Sequence, residues 1–338
     1  MGARSTNATT IYGVAARAGV SHQTVSRYLA GFEGIRPATR ERVAQAIAEL
    51  DYHPNMSARF LATNRSHRIA ALTSDLVSAG PSQTLQGLAQ AARESGYLVD
   101  IISIDLEIPT SLTEALAILR RQEFAAIVVI AVTDDVRDAV AGLDFGVPLY
   151  VDSGPADLSS AAGDSFNAQG IGLTVEHLVS LGHRSIVHLA GPQHWIAARN
   201  RATAFEAAMA SRGMPASPHV YGDWTARSGK SAISARALDP AVTAIVAAND
   251  QMALGALRAF TMDGISVPAD MSITGFDDIP EAEFFTPPLT TIRIDFSRQG
   301  TFLFDSVLAS ITDADAPDRD EFMHPELIVR DSTAPPRP

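Results

Sequence analysis

The stretch Val14-Ala15-Ala16-Arg17-Ala18-Gly19-Val20-Ser21-His22-Gln23-Thr24-Val25-Ser26-Arg27 decides how the amino-terminal part of this chain folds. Thr10 is placed to cap a first short helix over Ile11–Ala18. Gly19-Val20 then turns the chain sharply, and Ser21 opens a second helix over Ser21–Leu29. At about 100° per residue, Val25 and Leu29 share one side of that helix and His22, Gln23, Ser26 and Arg27 the other. A glutamine can bond an adenine edge with both ends of its amide, and an arginine a guanine edge or a phosphate. The pattern is that of a helix-turn-helix with a polar face suited to a major groove. The blander alternative is a small helical domain with a solvated face.

The segment that follows supports the same plan. Pro37 favours the first turn of a third helix over Pro37–Leu50, whose Val43, Ile47 and Leu50 form an apolar stripe that closes a three-helix core. Pro54 then breaks the chain and Asn55 can cap a short helix over Met56–Ala62. That helix is too short to be stable alone in water, and it exposes Arg59, Phe60 and Leu61 before the polar run Thr63-Asn64-Arg65-Ser66. It reads as a segment that orders on binding, with leucine the kind of wedge that enters a minor groove, or as a plain linker.

Charge separates this head from the rest. The chain has 338 residues and a formal net charge of −12, which read globally argues against a nucleic-acid partner. Residues 1–68 carry nine arginines against Glu33, Glu41, Glu49 and Asp51, a net of +5, which leaves −17 on the remainder. A basic head approaches phosphates while an acidic body is held off them. The absence of cysteine excludes a disulfide scaffold, a thiol nucleophile and a thiolate zinc site. No apolar leader core opens the sequence and no run of apolar residues is long enough to span a bilayer, so a cytoplasmic protein with no membrane partner is expected.

Beyond residue 66, short apolar runs alternate with amphipathic stretches. The strand candidates are Ile69–Thr73, Leu98–Ile104, Ala125–Ala131, Leu149–Val151, Ser185–Ala190, Ala244–Ala248 and Ser272–Phe276, and Ser82–Ser95 is a helix candidate. This is the signature of parallel α/β sheets covered on both faces. With about ten strands expected, two lobes are more economical than one sheet, and a ligand then sits at the carboxyl ends of strands or between lobes. Polar residues punctuate those ends: Ser74-Asp75, Asp152, Asn249-Asp250 and Asp277-Asp278. Carboxylates and amides converging on one cleft suit a polyhydroxylated ligand, and Trp224 and Phe296 could stack on a sugar ring. Each aspartate taken singly is equally a helix cap or turn residue.

Several motifs, ordered along the chain, resemble the lactose/galactose repressor (LacI/GalR) family. In the head they are Val14-Ala15, Ala18-Gly19-Val20-Ser21, Gln23-Thr24-Val25-Ser26-Arg27, Thr39-Arg40-Glu41-Arg42-Val43, and Leu50, Tyr52 and Pro54-Asn55. In the body they include His177-Leu178-Val179, Leu189-Ala190-Gly191-Pro192, Gly222-Asp223-Trp224, Ala248-Asn249-Asp250-Gln251-Met252-Ala253, and Pro287-Pro288-Leu289-Thr290-Thr291-Ile292. The resemblance spans about residues 10–332. It implies an α/β protein with a three-helix helix-turn-helix domain at 1–54 and a hinge helix and linker at 55–66. A two-lobed, periplasmic-binding-protein-like core of two Rossmann-like subdomains would follow at 67–332. Lobe 1 would take about 67–165 and 297–324, lobe 2 about 166–294 and 325–332, and 333–338 would form a tail.

For function, the resemblance implies a repressor that binds palindromic operator DNA as a homodimer and is released by a small carbohydrate, with a galactoside among the candidates. The DNA-contacting set it implies is Ser21, His22, Gln23, Thr24, Ser26, Arg27, Asn55, Ala58 and Leu61. The effector-contacting set is Ser74, Asp152, Arg201, Trp224, Asn249, Asp277 and Phe296. Ile130 and Ile294 stand where galactoside-binding members carry polar contacts. No apolar heptad follows residue 332, so a dimer without a coiled-coil tetramerisation tail is expected. Neither a metal nor a cofactor is implied.

Enzyme motifs fail on inspection. Gly229-Lys230-Ser231 lacks the glycine a phosphate-binding loop needs at position 224, where Trp224 stands. Gly170 and Gly172 lack the third glycine of a dinucleotide loop, and adjacent Asp277 and Asp278 should point in different directions. The remaining alternatives are a transport-type sugar-binding protein, a DNA-binding protein with a vestigial cleft, and a repressor answering to a non-sugar effector or a corepressor.

Overall fold

Three helices form at the amino-terminal end where caps and turns call for them. Helix α1 runs Ile11–Ala18, with Thr10 as its cap accepting from the Gly13 amide, and it ends on Gly19 in the left-handed region at φ 64°. A residue with a Cβ would be strained there, and this is what lets the chain turn directly into α2, His22–Leu29. Ser21 is the cap of α2, with its hydroxyl 3.2 Å from the Thr24 amide, and so lies one residue outside the helix. Helix α3 spans Pro37–Glu49, with Pro37 in its first turn, Arg36 at the cap position making no side-chain capping bond, and Leu50 just beyond its end. Val14, Ala15, Ala18, Val25, Val43, Ala46 and Tyr52 close the core between the three helices.

The computed structural model describes residues 10–29, 32–52, 66–130, 132–152, 166–215, 219–233, 238–318 and 324–337. The chain divides into two units, residues 1–66 and 67–338. The expected hinge helix at 56–62, with Asn55, Ala58 and Leu61, lies outside the described residues.

In the second unit the first sheet contains β1 (Arg68–Thr73), β2 (Leu98–Ser103), β3 (Ala126–Ile130) and β4 (Leu149–Val151), all parallel, in the order β2-β1-β3-β4. Helices α4 (Ala79–Glu94), α5 (Ser111–Arg121) and α6 (Asp134–Ala141) connect them. Successive strand residues bury on opposite faces. Ile69, Ala71, Val128 and Ile130 pack with Leu85 and Leu88 of α4, while Ala70, Leu72, Ile127 and Val129 pack with Leu119 of α5 and Val136 of α6. That double burial is why these strands read as continuous apolar runs instead of alternating ones. Helix α4 starts at Ala79 rather than at Ser82, because Pro81 sits in the first turn, where no backbone N–H is required.

The second sheet repeats the plan with β5 (Ile186–Ala190), β6 (His219–Tyr221), β7 (Ala244–Ala247) and β8 (Ser272–Thr274) in the order β6-β5-β7-β8. Helices α7 (Phe166–Ser180), α8 (Ile196–Ala210), α9 (Ala226–Ala232) and α10 (Asp250–Asp263) surround it. β8 is shorter than the run Ser272–Phe276 suggests. After Thr274 the Gly275 and Asp277 amides donate to the Thr290 and Ile292 carbonyls, so the chain leaves the sheet. A final antiparallel pair, β9 (Thr291–Arg293) with β10 (Glu326–Ile328), flanks α11 (Phe296–Thr312) in sequence. Phe302, Leu303, Phe304 and Val307 of α11 complete the core of the first sheet. The chain therefore passes from the first sheet to the second after β4, returns after β9, and leaves again before β10.

Candidate functional site

On α2, Val25 is fully buried while His22, Gln23, Ser26 and Arg27 are exposed, with Ser21 exposed at the cap and Thr24 half-buried. The polar face is therefore presented to solvent on a helix whose other side is fixed by the core. Tyr12 of α1, 66% exposed, brings its ring 5.2 Å from that of His22 and extends the same face. Sequence reading passed over it, although an aromatic opposite the buried Val14 and Ala18 was the available signal. Arg27 lies over the Phe32 ring at 5.6 Å, and Arg40 over Tyr28 at 5.8 Å.

In the second unit, both sheets change winding direction between their two central strands, β1/β3 and β5/β7. A crevice opens outside the carboxyl ends of strands at such a point. Ser74 follows β1, Asp152 follows β4, Asn249 follows β7, and Asp277 lies just beyond β8. Across this region the turn after β3 meets the start of α8. Thr133 bridges to Trp195, the Asp134 amide donates to the His194 carbonyl at 3.1 Å, and Arg199 grips the Asp134 carboxylate at 2.7 and 2.8 Å.

Arg201 of α8 is the centre of the second-sheet side. It is buried, with Nε donating to Asn167 Oδ1 at 2.9 Å and one terminal nitrogen donating to the Ala248 carbonyl. The other terminal nitrogen lies 3.5 Å from Asp277 Oδ1. Its plane lies over the Phe276 ring at 3.9 Å and faces Trp224 at 5.7 Å. Burial lowers the Arg201 pKa, opposed by the carboxylates of Asp277 and Asp250. Burial likewise raises Asp277 to about 6 against the pull of Arg201. The ion pair lacks hydrogen-bond geometry, so Asp277 Oδ1 is a buried acceptor without a hydrogen-bond partner.

Trp224 is held by three constraints. Its backbone takes φ 74°, its carbonyl accepts from Asn249 Nδ2 at 2.9 Å, and its ring lies against Gly191. A Cβ at position 191 would come within 2.4 Å of that ring, so only glycine fits beneath it. Its Nε1 is a buried donor without a partner. Asp277 also lies at positive φ, 112°. Non-glycine residues persist in that region only where the surroundings over-determine them, a condition common at binding sites. Asn249 is occupied: Oδ1 caps α10 through the Met252 amide, and Nδ2 holds the Trp224 carbonyl and Gln251. In this arrangement it builds the wall more than it faces the crevice.

On the first-sheet side Asp152 meets Gln299 of α11, which sequence reading did not single out. Gln299 Nε2 donates to both carboxylate oxygens, at 3.0 and 2.8 Å, and its Oε1 is buried without a partner. Phe296, one turn earlier, is buried against Gly80 and the second-sheet core, with only 5% of its surface exposed. Ser74 is half-buried. Ile130 and Ile294 are both buried among apolar neighbours.

Other buried polar groups have structural partners. Asp250 accepts from the Ile279 amide at 2.8 Å and the Thr291 hydroxyl at 2.5 Å, and burial raises its pKa well above the carboxylate range. Asp278 turns away from Asp277 to pair with Arg293 and Arg330, each at 2.7 Å. His188 stacks on Phe205 and is pushed down to about 3 by burial, with His219 and Arg201 adding to the effect. Among the described residues no group of three His, Cys, Asp or Glu side chains could hold a metal ion, and no helix is long and apolar enough to cross a membrane.

Comparison with known proteins agrees with this division. Residues 10–55 match the family model of bacterial regulatory proteins of the lacI family, and residues 175–333 match that of the periplasmic binding protein-like domain. The lactose operon repressor of Escherichia coli (strain K12) is 35% identical over 332 residues, covering 97% of this chain and 91% of that protein. The crystal structure of the lac repressor dimer bound to operator and the anti-inducer ONPF superposes with a TM-score of 0.77 at 32% identity, covering 96% of this chain and 99% of that one. The complex of the transcriptional regulator CelR with cellobiose gives 0.71 at 28% identity, with the same coverage.

Proposed function

The chain belongs to the LacI family of bacterial regulatory proteins, and from that premise we propose that it is a sugar-responsive repressor that binds a palindromic operator as a homodimer and lets go when a carbohydrate fills the crevice between its two lobes. It acts in the cytoplasm, where its DNA is. Residues 1–54 read the operator through Ser21, His22, Gln23, Thr24, Ser26 and Arg27. Residues 55–66 would act as the hinge, with Leu61 at the minor groove, Ala58 beside it and Asn55 among the DNA contacts, and residues 67–332 bind the effector.

The observation that carries the effector half of this reading is the set of unmatched buried polar atoms around the crevice. Trp224 Nε1, Asp277 Oδ1 and Gln299 Oε1 come from three different parts of the chain and have no hydrogen-bond partner within the protein, although Asp277 Oδ1 is ion-paired with Arg201. Buried polar groups are almost always paired, so a donor and two acceptors left open describe the complement of a hydroxyl-rich ligand. Trp224 supplies the ring face for stacking, while Arg201, Asp152, Asn249, Ser74 and Phe296 complete the enclosure. Sugar binding shifts the balance of lobe arrangements only by its differential affinity for them. A near-complete switch needs about 5.5 kcal/mol of difference, within reach of several polar contacts.

The test is a mobility-shift titration with DNA from upstream of the gene, with and without galactosides and β-linked disaccharides. Salt-sensitive binding released by a sugar is the expected result. Absence of binding to any upstream DNA overturns the repressor, and tighter binding with sugar reverses the sign to a corepressor.

A further inference from the structure

On the first-sheet side of the crevice, Gln299 is conspicuous for a buried amide oxygen without a hydrogen-bond partner. Ile130, at the end of β3, and Ile294, just before α11, are both buried in apolar clusters and offer no hydrogen bond. Asp152, after β4, and Gln299, on α11, meet on this side. A carboxamide has two N–H donors on one atom and an oxygen with two lone pairs on the other. In Gln299 the donor end is fully directed at the carboxylate of Asp152, at 3.0 and 2.8 Å. This fixes which end is which, since the oxygen could not face a carboxylate. The acceptor end, Oε1, is buried and unmatched. Gln299 itself is only 5% exposed. An internal hydrogen bond made solely for stability would leave no reason to bury the other end of the amide without a partner.

We propose that Gln299 is a specificity-determining contact for the effector: its Oε1 accepts a hydrogen bond from one hydroxyl of a carbohydrate, while its Nε2 holds the Asp152 carboxylate to accept from a neighbouring hydroxyl. Together the pair reads two adjacent hydroxyls on the ligand face turned towards the first sheet. This replaces the polar readout that Ile130 and Ile294 cannot provide. The inference rests on the carbohydrate reading of the crevice given above, and its test separates the two.

The full-length protein is titrated calorimetrically with methyl β-galactoside, methyl β-glucoside, o-nitrophenyl β-galactoside and cellobiose, then with monodeoxy forms of the sugars that bind. Gln299→Leu and Gln299→Met are titrated in parallel, two variants of different shape so that one folded protein suffices. In the wild type, removal of one particular hydroxyl is expected to weaken binding by about tenfold to a hundredfold. In the variants the parent sugar weakens by about that factor, and the same deoxy sugar then shows no further loss. If the variants bind more weakly but still penalise the same deoxy sugar, Gln299 only positions Asp152 and the proposed contact is wrong. If affinity and deoxy pattern are both unchanged, Gln299 has no part in recognition while the crevice reading stands. If no sugar binds the wild type, the carbohydrate reading falls, and this inference with it.

Discussion

The helix-turn-helix head and the two-sheet core carry their candidate functional residues in opposite ways. In the head, His22, Gln23, Ser26 and Arg27 stand in solvent on a helix that the core grips through Val25. In the core, Arg201 and Asp277 are buried and ion-paired, so each candidate contact is also part of the fold. The difference teaches how far binding and stability can be separated. A solvent-facing reader can change its contacts without touching the fold. A buried charge cannot, because its desolvation has to be offset by partners that remain when the ligand leaves.

Arg201→Leu tests that contrast with the largest expected effect. Asp277 would be left buried without its cation, and Asn167 and the Ala248 carbonyl would lose their donor. Breaking one side of such a pair costs about 3–5 kcal/mol. Urea unfolding followed on the core's transition should show a loss of that size together with abolished sugar response. Asp277→Asn in the same background should restore part of the stability and none of the response. A stability change below about 1 kcal/mol would break the contrast, because Arg201 would then be a detachable ligand group like those of the head.

Arg27→Ala is the counterpart in the head. The side chain is exposed and its described contact is the Phe32 ring at 5.6 Å, so the thermal midpoint of the protein should hardly move. Operator affinity should fall by about 1–3 kcal/mol, with relaxed preference at one base position, in a binding assay over a set of operator variants. A large drop in thermal stability would mean that the exposed face is also structural.

The same contrast explains what sequence could disclose. Thr10, Gly19, Ser21 and Pro37 are local signals, and each acts within one turn of its own position, so the three helices of the head were readable nearly to the residue. Seven of the eight strands of the two sheets were readable, the inner ones because burial on both faces leaves unbroken apolar runs, whereas the short β6 (His219–Tyr221) gave no such run and was missed. Polar residues at strand ends marked Asp152, Asn249 and Asp277. The pairings were beyond reach. Gln299 meets Asp152 across 147 positions of chain, Arg201 meets Asn167 across 34, and β10 meets β9 only after α11 has intervened. Nor does composition reveal that Asn249 spends its amide on capping and on Trp224. A buried polar residue takes its role from its partners, and those are set by topology rather than by neighbours in sequence.

Titration of Asp277 sharpens the comparison most finely, since only a buried group can respond in this way. Burial holds its pKa near 6, above the usual carboxylate value. For folding, a raised acid contributes stability that is present below about pH 4 and lost as pH rises through 6. For binding, the sign is opposite. A sugar hydroxyl donating to Asp277 favours the carboxylate, so binding releases a proton wherever the free protein is protonated. Effector affinity should be flat above about pH 7 and fall by up to tenfold per unit below 6, about 1.4 kcal/mol per unit. Calorimetry at several pH values, in buffers of different ionisation heat, measures both the slope and the released proton. Asp277→Asn should flatten the profile at a uniformly lower affinity. A profile that stays sloped in that variant would place the titrating group elsewhere, and Asp277 would then be a residue of the fold rather than of the crevice.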